Sequence, residues 1–127
     1  MGKRILVVDD EPYIRSLLEQ VLEDFTKAGV ELFVAKSGPE AWDLIRSKRP
    51  DLVVLDVMLP GISGYEICQR TKSNPDLASI YIIMLTARGQ AIDKQRGLDA
   101  GVDEYLTKPF DPKYLVKRVA EALAFTL

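Results

Sequence analysis

Short runs of apolar residues alternate along the chain with longer segments in which apolar residues recur every three or four positions. The runs Ile5–Val8, Leu52–Leu55 and Ile80–Leu85 are uninterrupted, which is typical of strands buried on both faces of a parallel sheet. Five strands are predicted in all: Arg4–Asp9, Glu31–Ala35, Asp51–Asp56, Ile80–Thr86 and Val102–Thr107.

Five helices are predicted between and after these strands. The first has one apolar face, formed by Ile14, Leu17, Leu18, Val21, Leu22 and Phe25. Pro12 suits its first turn, and Gly29 can end it. The other four are predicted from capping boxes at Ser37–Glu40 and Ser63–Glu66, from the segment Gln90–Ala100 closed by Gly101, and from the Asp111-Pro112 start signal.

Strands that alternate with helices predict right-handed βαβ crossovers and therefore an α/β fold. The expected architecture is a (βα)5 doubly wound parallel sheet of five strands. Because no linker, repeat or low-complexity tract interrupts the pattern, we expect a single domain over residues 1–127, with its core at about residues 4–123.

The composition excludes several classes of catalytic site, metal site and ligand. The chain has no histidine and one cysteine, which excludes Ser-His and Cys-His catalysis, histidine-ligated metals and an internal disulfide within it. A net charge of -2, from 17 basic and 19 acidic side chains, argues against nucleic acid as a direct ligand. The longest apolar run, Ile80–Leu85, is far shorter than the ~20 residues of a membrane span. We expect a cytoplasmic protein that binds neither nucleic acid nor membrane directly.

Polar residues at the strand ends are the candidates for chemistry, because open α/β sheets bind ligands beyond the carboxyl ends of their strands. Asp9 and Asp10 follow the first strand, Asp56 the third, Thr86 the fourth and Lys108 the fifth. Crowded carboxylates bind a cation or a proton, and an all-oxygen donor set favours Mg²⁺. Together with a lysine and a hydroxyl, this set suits phosphoryl transfer to a carboxylate.

Four motifs at these strand ends resemble the response-regulator receiver domain of two-component signal transduction, in particular chemotaxis-type receivers. Their order and spacing match over about Arg4 to Leu123. The motifs are Leu6-Val7-Val8-Asp9-Asp10-Glu11, Leu55-Asp56-Val57-Met58-Leu59-Pro60-Gly61-Ile62-Ser63-Gly64, Leu85-Thr86-Ala87 and Lys108-Pro109-Phe110. The resemblance implies a flavodoxin-like fold with strand order 2-1-3-4-5.

The resemblance also implies a metal site and an acceptor. Asp56 would be the phospho-acceptor and a metal ligand. Asp10 would bind Mg²⁺ directly, Asp9 would hold a metal-bound water, and the backbone carbonyl of Met58 would complete the protein's ligands. Mn²⁺ is the alternative ion.

The remaining implied roles concern the phosphoryl group and the conformational change. Lys108, Thr86 and Ala87 would contact phosphoryl oxygens. Thr86 and Tyr105 would form the switch, the tyrosine ring turning between exposed and buried positions as the threonine shifts. The Lys108-Pro109 bond would be cis and would aim the lysine.

Met58 and Arg88 lie two residues beyond Asp56 and Thr86, where the family tunes the lifetime of the phosphoryl group. Neither side chain offers a carboxylate or carboxamide to orient an attacking water. We therefore expect slow autodephosphorylation, and a protein that catalyses its own phosphorylation without being a turnover enzyme.

The implied function is a phosphorylation-activated switch. A histidine kinase or histidine phosphotransfer protein would donate to Asp56, and the signal would reach an output domain or target protein through the fourth helix, fifth strand and fifth helix. Tyr114 stands where receivers of winged-helix transcription regulators often place a glutamate for a dimer salt bridge. The sequence leaves open whether phosphorylation produces a dimer. The charged residues still available for a dimer interface are Asp99, Asp103, Lys117 and Arg118.

Three other functions are compatible with the fold class but fit the sequence less well. A degenerate receiver, acting as a phosphorylation-independent protein-binding module, is the alternative that the intact site residues disfavour. A flavodoxin-like cofactor binder shares the fold, but the loop Asp9–Pro12 is acidic where a phosphate would need free amides. A phosphatase-type hydrolase would need a second acid where Met58 stands.

Overall fold

A computed structural model of the chain describes residues 2–87 and 94–127, and of Lys94 only the backbone. The strands in the described part are β1 (Arg4–Val8), β2 (Glu31–Ala35), β3 (Leu52–Asp56), β4 (Tyr81–Ala87) and β5 (Glu104–Lys108). The helices there are α1 (Pro12–Val21), α2 (Glu23–Lys27), α3 (Gly38–Lys48), α4 (Gly64–Ser73), α5 (Lys94–Ala100) and α6 (Pro112–Leu123). None of these helices is long and apolar enough to cross a membrane.

The five strands form one parallel sheet in the order β2-β1-β3-β4-β5, which confirms the predicted fold class and strand order. Parallel pairing places the carboxyl ends of all five strands at one edge. Because β1 and β3 are neighbours and β4 and β5 follow, the candidate residues at their ends share that edge.

Helices cover both faces of the sheet, as uninterrupted apolar strands require. On one face the strand side chains pack against α3, α4 and α5, around a cluster that includes Leu6, Val53 and Met84. On the other they pack against α1, α2 and α6, around a cluster that includes Ile5 and Val54. Alternate residues of β1 and β3 therefore supply the two halves of the core.

The first predicted helix is divided in two at Leu22, where the backbone angles are φ -95° and ψ 9°. The expected apolar face nevertheless continues across the division, since Leu18, Leu22 and Phe25 are all fully buried. Apolar spacing reports burial along a segment, not the backbone angles of one residue, so the sequence pattern gave no sign of the break.

Strand ends differ from the prediction by one or two residues. β1 ends at Val8 and β4 extends to Ala87, while β5 begins at Glu104, two residues late. Asp103 explains the last difference, because its N–H donates to the Ile82 carbonyl (3.1 Å) and its carboxylate accepts from the Ile82 N–H (2.7 Å). The Asp103 carboxylate thus takes the place of a backbone carbonyl in the hydrogen bonding between β4 and β5. The predicted start of the fourth helix at Gln90 lies outside the described residues.

The predicted N-terminal side-chain caps are present, although neither glutamate returns the second bond of its capping box. The side chains of Ser37, Ser63 and Asp111 accept backbone N–H groups at the starts of α3, α4 and α6. Gly29 and Gly101 have positive φ angles at the ends of α2 and α5. These caps fix where the loops at the carboxyl edge of the sheet enter their helices.

Candidate functional site

Three aspartates meet at the carboxyl edge of the sheet. Asp9 follows β1 and is fully buried, Asp56 ends β3 and is 5% exposed, and Asp10 is exposed at the rim. One carboxylate oxygen from each lies within 4.8 Å of the other two. Such a group of hard oxygen donors is open to solvent on one side and suits a divalent cation.

Lys108 ends β5 and reaches across β4 to the aspartates. Its Nζ lies 2.8 Å from Asp9 Oδ2, 3.5 Å from Asp56 Oδ2 and 3.9 Å from Glu11 Oε1. Only 14% of the lysine side chain is exposed. The Lys108-Pro109 peptide bond is cis, as the resemblance implies. The lysine is therefore shared among carboxylates, with Asp9 as its nearest partner.

The electrostatics of the site leave Asp56 less acidic than an ordinary carboxyl group. Burial, and after it the charge of Asp9, raise the pKa of Asp56 to about 6, against the opposing effects of Lys108 and the Met58 N–H. Burial would lower the pKa of Lys108, but its close contact with Asp9 and the charges of the other nearby carboxylates raise it. The lysine therefore stays protonated, and an added cation would favour the charged form of Asp56.

The loop after β1 is held by its own backbone and by an arginine. Asp9 Oδ1 accepts the Glu11 N–H at 2.9 Å, and the Asp9 carbonyl accepts from Arg15 Nη1 at 2.8 Å. Arg15 was missed by the sequence reasoning. The available signal was a cation in the first turns of α1, six residues after Asp9, but nothing in the pattern aimed it back at the loop.

The loop after β3 is fixed against Asp56. The Met58 N–H donates to Asp56 Oδ1 at 3.3 Å, and the Gly64 N–H donates to the Val57 carbonyl at 2.9 Å. A Cβ on Gly64 would overlap the Asp56 carbonyl oxygen, so only glycine lets α4 begin this close to the strand. The Met58 side chain is 65% exposed beside the site.

The predicted switch residues lie on the neighbouring strands. Thr86 is buried, and its hydroxyl donates to the Leu106 carbonyl at 3.5 Å, a long contact. Ala87 is exposed and opposite Lys108 in the β4–β5 register. Tyr105 is half-buried, with its hydroxyl oxygen buried. The structure thus groups the aspartates with Lys108 and places Thr86 on β4 and Tyr105 on β5. Arg88 lies outside the described residues.

The profile of the response regulator receiver domain family matches residues 5–120 of the chain. The chain belongs to this family. Its fold is the family's five-stranded parallel sheet with order 2-1-3-4-5, and the motifs that resembled a receiver domain lie together at one edge of that sheet. The chain is therefore a receiver domain of the two-component response-regulator family.

One curated relative is the phosphate regulon transcriptional regulatory protein PhoB of Pseudomonas aeruginosa, 44% identical over 126 residues. The match takes in 99% of this chain and 54% of that protein. The receiver domain thus spans about half the length of the curated relatives it matches, and the expected single-domain organisation stays a prediction.

Two solved structures are informative about the site. The receiver domain of the sensor histidine kinase PA1611 from Pseudomonas aeruginosa, with a magnesium ion coordinated in its active site cleft, is 27% identical, with a TM-score of 0.83 and coverage of 98% of this chain and 99% of that one. The BeF3-activated DrrB receiver domain is 34% identical, with a TM-score of 0.81 and coverage of 98% and 99%.

Several charges near the N-terminal end of β5, away from Lys108, are already paired within the receiver domain. Arg118 contacts Glu104 at 2.8 Å and Glu121 at 3.1 Å, and Lys72 contacts Asp103 at 2.8 Å. The Tyr114 hydroxyl lies 3.3 Å from Glu104 Oε2. Four charged residues were available for a dimer interface. Two of them, Asp103 and Arg118, thus form ion pairs within their own chain.

Proposed function

We propose that this receiver domain is a phosphorylation-activated switch that accepts a phosphoryl group on Asp56, with Mg²⁺ bound, from a histidine kinase or histidine phosphotransfer protein. The observation that carries the proposal is the contact of Lys108 with both Asp9 and Asp56, beside the exposed Asp10. A buried acceptor, a fixed cation and an exposed carboxylate at the rim are the parts that phosphoryl transfer needs.

The donor set fits Mg²⁺. Three carboxylates with oxygens within 4.8 Å of one another repel until a cation is shared among them, and the raised pKa of Asp56 reflects that repulsion in part. Asp10 and Asp56 would hold the ion, Asp9 a water bound to it, and the Met58 carbonyl would add a backbone ligand. When bound, Mg²⁺ supplies positive charge to the equatorial phosphoryl oxygens, and Mn²⁺ is a candidate substitute.

The chain's own residues set up the transfer. An Asp56 carboxylate oxygen would attack the phosphorus of a phosphohistidine that is protonated on its other ring nitrogen. The P–N bond breaks, its electron pair stays on nitrogen, and neutral imidazole leaves. The hydrogen bond from the Met58 N–H to Oδ1 orients the carboxylate. Lys108, now nearest Asp9, is within reach of a new phosphoryl oxygen on Asp56, and Ala87 offers its backbone at the same edge.

The conformational change would begin at Thr86. Its hydroxyl makes only a long hydrogen bond to the Leu106 carbonyl, so exchanging that partner for a phosphoryl oxygen costs little. Movement of Thr86 opens space on the face of the sheet that carries Tyr105. The ring and α5, β5 and α6 would then present a changed surface to an output domain or target protein.

An apolar groove beside the site fits the phosphoryl donor. It has a volume of about 360 Å³ and lies between α1 and the turn after β5, lined by Ile14, Leu17, Pro109 and Phe110 among others. Tyr13, at its rim, is 73% exposed. A partner helix that carries a phosphohistidine could bury apolar residues here with the histidine facing Asp56.

We also propose that the domain is not a turnover enzyme. It would catalyse its own phosphorylation and lose the group slowly, because the exposed Met58 side chain has no group that orients water. The contribution of Arg88 stays a prediction, since that residue lies outside the described part of the chain.

Acetyl phosphate and intact mass spectrometry test the proposal. The protein with Mg²⁺ should gain one phosphoryl group, which is lost at alkaline pH and does not form when the metal is chelated. Asp56→Asn should gain none, whereas Asp76→Asn, which changes an exposed carboxylate far from the site, should match the wild type. No adduct on the wild type, and no binding of beryllofluoride, would leave the phosphorylation-independent binding module instead.

A further inference from the structure

Arg15 lies in an unfavourable place for a positive charge. It is near the start of α1, and the N-terminal end of a helix carries the positive pole of the helix dipole, which favours acidic side chains. The arginine is nevertheless half-buried, and its Nη1 donates to the Asp9 carbonyl at 2.8 Å. Because a charged donor makes a strong hydrogen bond to a carbonyl, this contact explains the direction of the side chain.

The contact completes the set of partners around Asp9. The Asp9 N–H donates to the Ala35 carbonyl at 3.2 Å, and Oδ1 accepts the Glu11 N–H at 2.9 Å. Oδ2 lies 2.8 Å from Lys108 Nζ. With Arg15 on the carbonyl, all four polar atoms of Asp9 contact other groups of the protein. Asp9 is therefore held from several directions at the start of the loop after β1.

Asp10, the next residue, has no such set of side-chain contacts. Its carboxylate is exposed, and among the described residues none donates a hydrogen bond to it. One of its oxygens nevertheless lies within 4.8 Å of oxygens of Asp9 and Asp56. Because the peptide group is planar, the direction of the Asp9 carbonyl also sets the direction of the Asp10 N–H and the position of its Cα. The backbone of Asp9 therefore directs Asp10 toward the other two aspartates.

We propose that Arg15 is a positioning residue that holds the Asp9–Asp10 peptide group and so keeps the Asp10 carboxylate at the shared cation site. This inference rests on the proposed function, because it concerns the residues that would hold Mg²⁺. The guanidinium also has an opposing effect, since its positive charge lies close to the site and repels a cation. The two effects predict opposite changes in Mg²⁺ affinity for a variant that lacks the guanidinium.

Arg15→Met, with Mg²⁺ alone as the probe, separates the two effects. Methionine keeps a long side chain but has neither the charge nor the donors. Loss of the charge alone would tighten Mg²⁺ binding, whereas loss of the contact with the Asp9 carbonyl would weaken it. We expect binding roughly tenfold weaker than in wild type, measured by titration calorimetry, because a residue that orients a metal ligand contributes about this much to affinity.

Two further variants are the controls. Arg46→Met makes the same substitution at an exposed position in the last turn of α3, changes the net charge by the same amount and should match the wild-type affinity. Arg15→Lys keeps a charged donor on a long side chain and should recover part of the affinity. In the metal-free protein, the Glu11 N–H should exchange with solvent faster in Arg15→Met than in wild type, since the loop that holds it is less restrained.

Acetyl phosphate distinguishes positioning from general damage to the fold. The rate of phosphorylation, followed by intact mass spectrometry, is measured over a series of Mg²⁺ concentrations. Arg15→Met should need roughly tenfold more Mg²⁺ for half its maximal rate, with a maximal rate within about threefold of wild type, because Asp56 and Lys108 keep their contact. Damage to the fold would lower the maximal rate as well.

Two outcomes would overturn the inference. One is an Arg15→Met protein that binds Mg²⁺ as tightly as wild type or more tightly, and the other is a lower maximal rate with an unchanged Mg²⁺ requirement. If wild type binds Mg²⁺ but takes up no phosphoryl group, the proposed function fails, and calorimetry still decides the role of Arg15. If wild type is phosphorylated and Arg15→Met needs no additional Mg²⁺, only this inference fails.

Discussion

Lys108 is 2.8 Å from Asp9 and 3.5 Å from Asp56, a difference that matters for a switch. Its charge mainly offsets that of the fully buried Asp9. In the proposed switch, a phosphoryl group on Asp56 would bring additional negative charge and new acceptor oxygens near Lys108, which would then gain a stronger partner. The same side chain would therefore stabilise the protein with and without the phosphoryl group.

Removing the Asp56 charge should stabilise the metal-free protein in a pH-dependent way. The pKa of Asp56 is raised from the ordinary value of 3.8 to about 6, so the folded state binds the proton of this carboxyl more tightly than the unfolded state does. The stabilisation from that proton is fully present below a pH of 3.8 and is lost as the pH rises through about 6. Asp56→Asn should exceed wild type in free energy of unfolding by roughly 1 to 3 kcal/mol near neutral pH, less at acid pH.

Chemical denaturation in a chelator-containing buffer series measures this difference. The exposed Asp76→Asn serves as the control and should follow wild type at every pH. A constant difference between Asp56→Asn and wild type across the series would show that the carboxyl of Asp56 is not destabilised by burial and by its neighbours.

At the scale of elements, the start of α4 decides how closely the helix approaches the acceptor. Gly64→Ala should lower the free energy of unfolding by about 1 to 3 kcal/mol, even though alanine favours helices, because its Cβ would meet the Asp56 carbonyl and lie 3.0 Å from Met84 Sδ. Urea denaturation of Gly64→Ala measures the loss.

The control for this variant is Gly2→Ala. A Cβ at position 2 has one neighbour, at 3.8 Å, so the substitution should change stability by less than about 0.5 kcal/mol. A Gly64→Ala protein as stable as wild type would mean that α4 can move away from β3 at no cost.

The elements themselves were largely predictable, for a physical reason. Continuous apolar runs and the serine caps report burial and local hydrogen bonds, both of which are written in neighbouring residues, as at Ser37 and Ser63. The break at Leu22 and the late start of β5 were not predictable. The latter depends on Asp103 meeting Ile82, which is 21 residues away in the chain.

At the scale of the whole molecule, the strand order brings residues at the ends of β1, β3 and β5 into one site. A cation that binds there only in the folded state should raise the free energy of unfolding of the whole domain. Mg²⁺ at ten times its dissociation constant should add about 1.4 kcal/mol to the free energy of unfolding. Asp10→Asn, which alters an exposed residue of the site, should lose most of that gain.

Thermal unfolding with and without Mg²⁺ measures the effect, and Asp76→Asn should keep the wild-type response. An unfolding midpoint that does not respond to Mg²⁺ in wild type would contradict a metal site at Asp9, Asp10 and Asp56.

The grouping of the three aspartates with Lys108 was predictable, but its geometry was not. Residue types at strand ends, together with the resemblance to receiver domains, identified the three aspartates and Lys108. Which carboxylate the lysine prefers and the anchoring of Asp9 by Arg15 both depend on side-chain placement in the folded chain. Such contacts leave no periodic signal in a single sequence.

The most direct test of the account is to locate the phosphoryl group. After reaction with acetyl phosphate and Mg²⁺, borohydride reduction converts an aspartyl phosphate to homoserine, which peptide mass spectrometry places in the chain. The account predicts homoserine at position 56 alone, and none when Mg²⁺ is chelated. Homoserine at position 9 or 10, or none at all in a protein that carries the label, would contradict Asp56 as the acceptor.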